Sequence, residues 1–139
     1  MSGAYLAPHA TQAVALMARG IKGPVVMLNL LRFREVADYA ATPDLAPDVP
    51  ISGAEAFDRY VAATAPHLAA AGGEVLFSGT GGAFFIGPEA ARWDRVMLIR
   101  QASVAAFLAF AENAPYLDGL GHRTAALEDS RLLPLVANT

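Results

Sequence analysis

His122 is the residue in this chain best suited to moving a proton, because an imidazole titrates near neutral pH. Its structural alternative is a helix-end or core histidine bonded to Asp118 or Asp129. Arg32 and Arg100 each close an apolar run, and a guanidinium offers a fork of donors that matches a carboxylate. An ordinary strand-end ion pair would use the same residues. Asn29 falls in the row of Val25, Met27, Leu31 and Phe33, while Arg32 falls in the row of Val26, Leu28 and Leu30. An amide in an apolar row must find partners or cost a few kcal/mol, so Asn29 either faces a pocket or ties neighbouring backbone together. Trp93 and Tyr116 could wall a cleft with aromatic rings and polar tips, whereas Tyr60 fits plain core packing better.

Other chemistries fail on composition or context. With no cysteine there is no disulfide, thiolate nucleophile or zinc-thiolate site. A net charge of −3 with scattered basic residues argues against nucleic acid. His9, His67 and His122 lack the spacing of a zinc motif, so no metal is expected. Gly79-Thr80-Gly81-Gly82 is followed by a strand-like run and not by a helix, which makes it a turn or bulge and not a phosphate cradle. No Gly-x-Ser-x-Gly elbow is present. Uncharged stretches such as Val75 to Pro88 and Gln101 to Ala111 are too short or too polar for a bilayer span. The N-terminus lacks the basic and apolar blocks of a secretory signal, so a cytoplasmic protein is expected.

The elements that must position these residues follow from patterning. The length of 139 residues suits one domain over 1–139, with a leading helix at about 11–19 and a core at about 23–136. In the helix Thr11 to Arg19, Val14, Leu16 and Met17 would face the body, and Gly20 would end it. Val25 to Phe33 is apolar at nearly every position, the pattern of a strand covered on both faces. Residues 35–51 are rich in Asp, Pro and Ala and form a loop long enough to be a lid. Ser52 and Glu55 form a capping box for a helix whose stripe is Phe57, Tyr60, Val61, Thr64 and Leu68, with Gly72-Gly73 as its stop. Glu74 to Phe77, Ala83 to Ile86 and Trp93 to Gln101 are strand-like. Ser103 caps a further helix, Asn113-Ala114-Pro115 restarts a helical segment, and Leu132 to Val136 is a last strand that Pro134 places at an edge.

A helix followed by β-α-β-β-α-β is the ferredoxin-like split β-α-β pattern, an α+β fold whose helices cover one face of a four-stranded antiparallel sheet. Apolar residues make up 55% of the chain and charged residues 17%. Because Val25 to Phe33 and Trp93 to Gln101 are apolar on both parities, the bare face needs a cover, and a second copy of the chain is the simplest one. A homodimer is therefore expected.

Three segments resemble the domain-of-unknown-function family thirteen-thirty: Met27-Leu28-Asn29-Leu30-Leu31-Arg32-Phe33, Trp93-Asp94, and the run from His122 to Ser130. The resemblance spans roughly Gly23 to Leu135 and implies the dimeric α+β barrel fold. The wider fold group includes cofactor-free monooxygenases, muconolactone-type isomerases and haem-binding enzymes, so fold alone is a weak guide to chemistry. The expectation is a cofactor-independent enzyme acting on a small anionic or aromatic metabolite. Arg32 or Arg100 would hold its carboxylate, Asn29 would orient a carbonyl or hydroxyl, and His122 would move the proton. The rival is a non-catalytic ligand-binding or regulatory homodimer. A haem-binding protein would need His9, His67 or His122 as axial ligand.

Overall fold

The computed structural model describes residues 4–138, so the first residues of the N-terminal segment considered above lie outside the described residues. The elements are helix α1 (Ala10–Ala18), strand β1 (Val25–Phe33), a 3-10 turn (Pro43–Leu45), α2 (Gly53–Ala70), β2 (Glu74–Ala83), β3 (Arg92–Gln101), α3 (Val104–Ala111), α4 (Ala114–Asp118), α5 (Leu120–Ala126) and β4 (Leu127–Leu135). The strands form one antiparallel sheet in the order β2-β3-β1-β4. This is the ferredoxin-like α+β arrangement, with Pro134 on edge strand β4, where its missing N–H costs no ladder bond.

Local chemistry sets the element ends. Ser52 Oγ accepts from Glu55 N, Ser103 Oγ from Ala106 N, and Asn113 Oδ1 from Tyr116 N, each satisfying an orphan donor at a helix start. Gly20 and Gly72 take positive φ just past α1 and α2, where a side chain would be strained.

Strand parity divides the sheet. Val25, Met27 and Leu31 are at most 1% exposed and face the helices. Leu31 packs with Ala56 and Phe57 of α2, Ala125 and Ala126 of α5, Met97 and Leu127. The register places Val26, Leu28, Leu30, Val96, Leu98, Phe77 and Leu133 on the opposite face. No helix covers that face: Phe77 and Leu133 are 54% and 53% exposed, and the others are only partly buried.

Several expectations are corrected. Gly79 to Gly82 is neither a turn nor a bulge but the second half of β2, paired with β3; the bulge comes earlier, between Val75 and Phe77. The glycines suit a strand here because the Phe77 ring lies over Gly79, where a Cβ would meet Cε2 at 2.6 Å, and because the Trp93 carbonyl leaves no room for a Cβ on Gly81. The expected strand Ala83 to Ile86 ends at Ala83, and Phe84-Phe85-Ile86 forms an exposed connection. In α1 only Leu16 is buried, while Val14 and Met17 face solvent. This helix lies at the sheet edge, where Arg19 donates to the Pro134 carbonyl at 3.0 Å, instead of packing into the core. β4 begins at Leu127, five residues before the expected Leu132, because Leu127 ends the helical spacing and opens the strand opposite Phe33.

Candidate functional site

The loop of residues 35–51 is docked on the helices. Arg34 N donates to Ala126 O at 2.8 Å, Asp38 N to Ala125 O at 2.9 Å, and Ala37 N to Ile51 O at 2.9 Å. Gly121 of α5 lets the loop sit flush, since a Cβ there would meet Thr42 Oγ1 at 2.6 Å and Leu45 Cδ1 at 2.7 Å. This seating buries Tyr39 and brings its hydroxyl to 2.8 Å from His122 Nδ1, with the two rings edge-on at 5.6 Å. Tyr39, and not Asp118 or Asp129, is the partner of His122.

The protonation states follow from the surroundings. Burial, partly offset by the Arg59 charge, raises the Tyr39 pKa, so the phenol keeps its proton and can donate it to Nδ1. Burial and the nearby Arg59 guanidinium lower the His122 pKa, so the ring is neutral at pH 7. A neutral ring that accepts at Nδ1 carries its proton on Nε2. Nε2 has no hydrogen-bond partner among the described residues and is not a buried unpartnered atom, so this nitrogen faces solvent.

Arg32 and Trp93 meet at the other surface of the same sheet end. The Arg32 guanidinium lies 5.0 Å from the indole centroid, and Arg131 lies 5.2 Å from it. Both arginines bind Asp129, which is 4% exposed: Arg32 Nη2 at 2.9 Å and Arg131 Nη1 at 2.7 Å. Asp129 also accepts from Tyr5 N and Ser130 N, at 2.7 and 2.8 Å. Burial raises its pKa, but the Tyr5, Arg131 and Ser130 donors and the Arg131 charge outweigh burial and hold it below the ordinary value. Ser130 Oγ donates to Tyr5 O and Arg123 Nη1 to Leu6 O, so the cluster fastens the N-terminal segment to β4. Arg32 is thus engaged with a protein carboxylate.

Arg100 lies at the opposite end of the sheet, 3.8 Å from Glu74. In the register it faces Val26, six residues along β1 from Arg32, a separation of about 20 Å at strand rise. The two arginines cannot grip one small carboxylate together. Asn29 stands between them on the helix-facing row, half-buried at the centre of β1, and donates to Met27 O at 3.2 Å. Tyr116 is core: it packs with Phe110 and Leu68, and its hydroxyl meets that of Tyr60 at 2.8 Å. Burial, followed by the Tyr116 hydroxyl, drives the Tyr60 pKa far up, so this phenol stays protonated.

The sequence reading missed Tyr39 and Arg59. Tyr39 is an isolated aromatic in a stretch of Asp, Pro and Ala, and that is the signal that marks it as an anchor. An open cleft of about 280 Å³ lies between α2 and α3, lined by His67, Ala70, Ala106, Ala109, Phe110 and Asn113; of the residues considered above it contains only His67. Among the described residues no group of His, Asp and Glu is arranged to hold a metal, and no helix is long and apolar enough to cross a membrane.

Comparison with known proteins agrees with the fold. The family described as Domain of unknown function (DUF1330) matches residues 47–135. The chain is 32% identical to the RPA0582 protein, described as of unknown function, from Rhodopseudomonas palustris, over 98% of each chain with a TM-score of 0.85. The methylated form of RPA0582 gives 0.86 at the same identity, covering 99% of this chain and 98% of that one. A dimeric ferredoxin-like protein of unknown function from Thermobifida fusca is 13% identical over 83% of this chain and 92% of its own, with a TM-score of 0.48. No curated protein matches the sequence.

Proposed function

The chain belongs to the DUF1330 family, and from its own geometry we propose that it is a homodimeric, small-molecule-binding protein with a proton-transferring pair, Tyr39 and His122. The observation that carries this reading is the 2.8 Å contact from the Tyr39 hydroxyl to His122 Nδ1, with Nε2 left open to solvent. A buried phenol that fixes one ring nitrogen sets both the tautomer and the aim of the other, as an orienting group does for a catalytic base. An imidazole held neutral can polarise a carbonyl through Nε2–H as charge builds on the oxygen. Isomerisation and cofactor-free oxygenation of a small anionic or aromatic metabolite both build negative charge on a carbonyl oxygen, which such a donor would stabilise. Chemistry of this kind needs no cofactor.

The proposed dimer is supported by the uncovered sheet face, whose apolar rows no helix shields and which a second copy would cover. Phe85 and Ile86, in the connection after β2, are 102% and 86% exposed and add apolar surface to the molecule. A second reading, a ligand-binding dimer without turnover, is favoured by one observation: among the described residues no carboxylate bonds to either ring of the pair.

A thermal-shift screen of small carboxylates, aromatic metabolites and haemin tests the proposal. A ligand at a hundredfold its Kd stabilises by roughly 2.7 kcal/mol. The expected result is a stabilising small molecule whose effect disappears in His122→Ala. An effect undiminished in that variant would remove His122 from the site. Turnover of the compound by the wild type, followed by loss in His122→Ala, separates the enzyme from the binder.

A further inference from the structure

Resting on that reading of Tyr39 and His122, we infer that Arg59 is the anchor for the ligand's carboxylate, so that the site takes a small carboxylate whose adjoining polar group meets His122 Nε2. The neighbouring helices α2 and α5 run antiparallel. Gly53 sits against the Ala126 carbonyl, where a Cβ would come to 2.7 Å, and Ala63 lies 3.0 Å from the place of a Cβ on Gly119. Between these two fixed points Arg59 falls level with His122. Both Tyr39 and His122 feel its charge, which supports the same placement.

Five other arginines are held by carboxylates of the protein. Arg32 and Arg131 share Asp129, Arg92 pairs with Asp94, Arg95 with Asp58, and Arg100 with Glu74. Arg59 is exposed and has no ion pair or hydrogen bond among the described residues. Glu55, one turn earlier on α2, would be its ordinary i,i+4 partner, yet no ion pair joins them. Exposure falls from the Arg59 guanidinium through the half-buried imidazole to the buried phenol. A carboxylate held by Arg59 at the rim would therefore direct the rest of a small molecule toward Nε2–H.

The probes are benzoate and its neutral isostere benzamide, titrated while the His122 Cε1 proton is followed by NMR and assigned by its loss in His122→Gln. Benzoate is expected to give a saturable shift. Arg59→Gln should raise the fitted Kd roughly tenfold and Arg59→Lys by less, because the fork is lost but the charge remains. Benzamide should give no saturable shift. A benzoate titration unchanged in Arg59→Gln, or an equal response to benzamide, overturns the carboxylate anchor while leaving the Tyr39–His122 site in place. A His122 signal that neither probe moves overturns both.

Discussion

A single hydrogen bond decides what His122 can do. Its pKa is lowered, so the folded protein resists protonating a ring that the unfolded chain protonates near 6.5. As pH falls through 6.5 the unfolded state takes up the proton first, and this histidine's contribution to stability falls with it. The His122 midpoint followed by NMR should lie below 6.5, and Arg59→Gln should move it up by removing a like charge. A midpoint at or above 6.5 in the wild type would contradict the assignment. Asp129 behaves in the same sense, at lower pH. Its folded pKa lies below 3.8, so its stabilisation is complete above that value and is lost as pH falls through the folded pKa. Asp129→Ala leaves Arg32 and Arg131 facing each other around a buried vacancy and should cost about 2–4 kcal/mol in a denaturant titration. At this scale sequence reading could name the residue types but not their partners. Arg32 was open to either a substrate or an ion pair, and its partner could not be named because Asp129 is 97 residues away along the chain.

The element that matters most is the loop of residues 35–51. Its prolines announced irregular backbone and suggested a lid, but no sequence pattern records that Gly121 and Gly53 are the seats on which it rests. Gly121→Ala should push Thr42 and Leu45 outward, draw Tyr39 away from His122 and cost about 1–3 kcal/mol. Calorimetry would give the loss, and the His122 NMR signal would report the broken contact. An unchanged melting temperature and an unchanged His122 signal would show that the loop does not hold the pair. The helix caps at Ser52, Ser103 and Asn113 were legible because each is a local bond between a short polar side chain and a nearby N–H. The extent of β2 was not: glycines signal turns locally, whereas the pairing with β3 that makes them a strand is a tertiary fact.

Across the whole molecule two surfaces differ: a helix side that carries the Tyr39–His122 pair and a sheet side whose apolar rows no helix covers. The α+β order and the bare face were legible because a run apolar on both parities requires cover on both sides. The corner between α5 and β4 was not, since Leu127 satisfies helical spacing and strand pairing alike. Leu28→Lys and Leu98→Lys each set a charge in the middle of the sheet face, which should disperse the dimer while leaving the helix-side core untouched. Circular dichroism would confirm that these variants keep the wild-type fold. The most direct measurement is the mass of the wild-type protein by light scattering at micromolar concentration, beside these two variants. The prediction is twice the single-chain mass for the wild type and the single-chain mass for the variants; a wild type that runs as a single chain would contradict the homodimer.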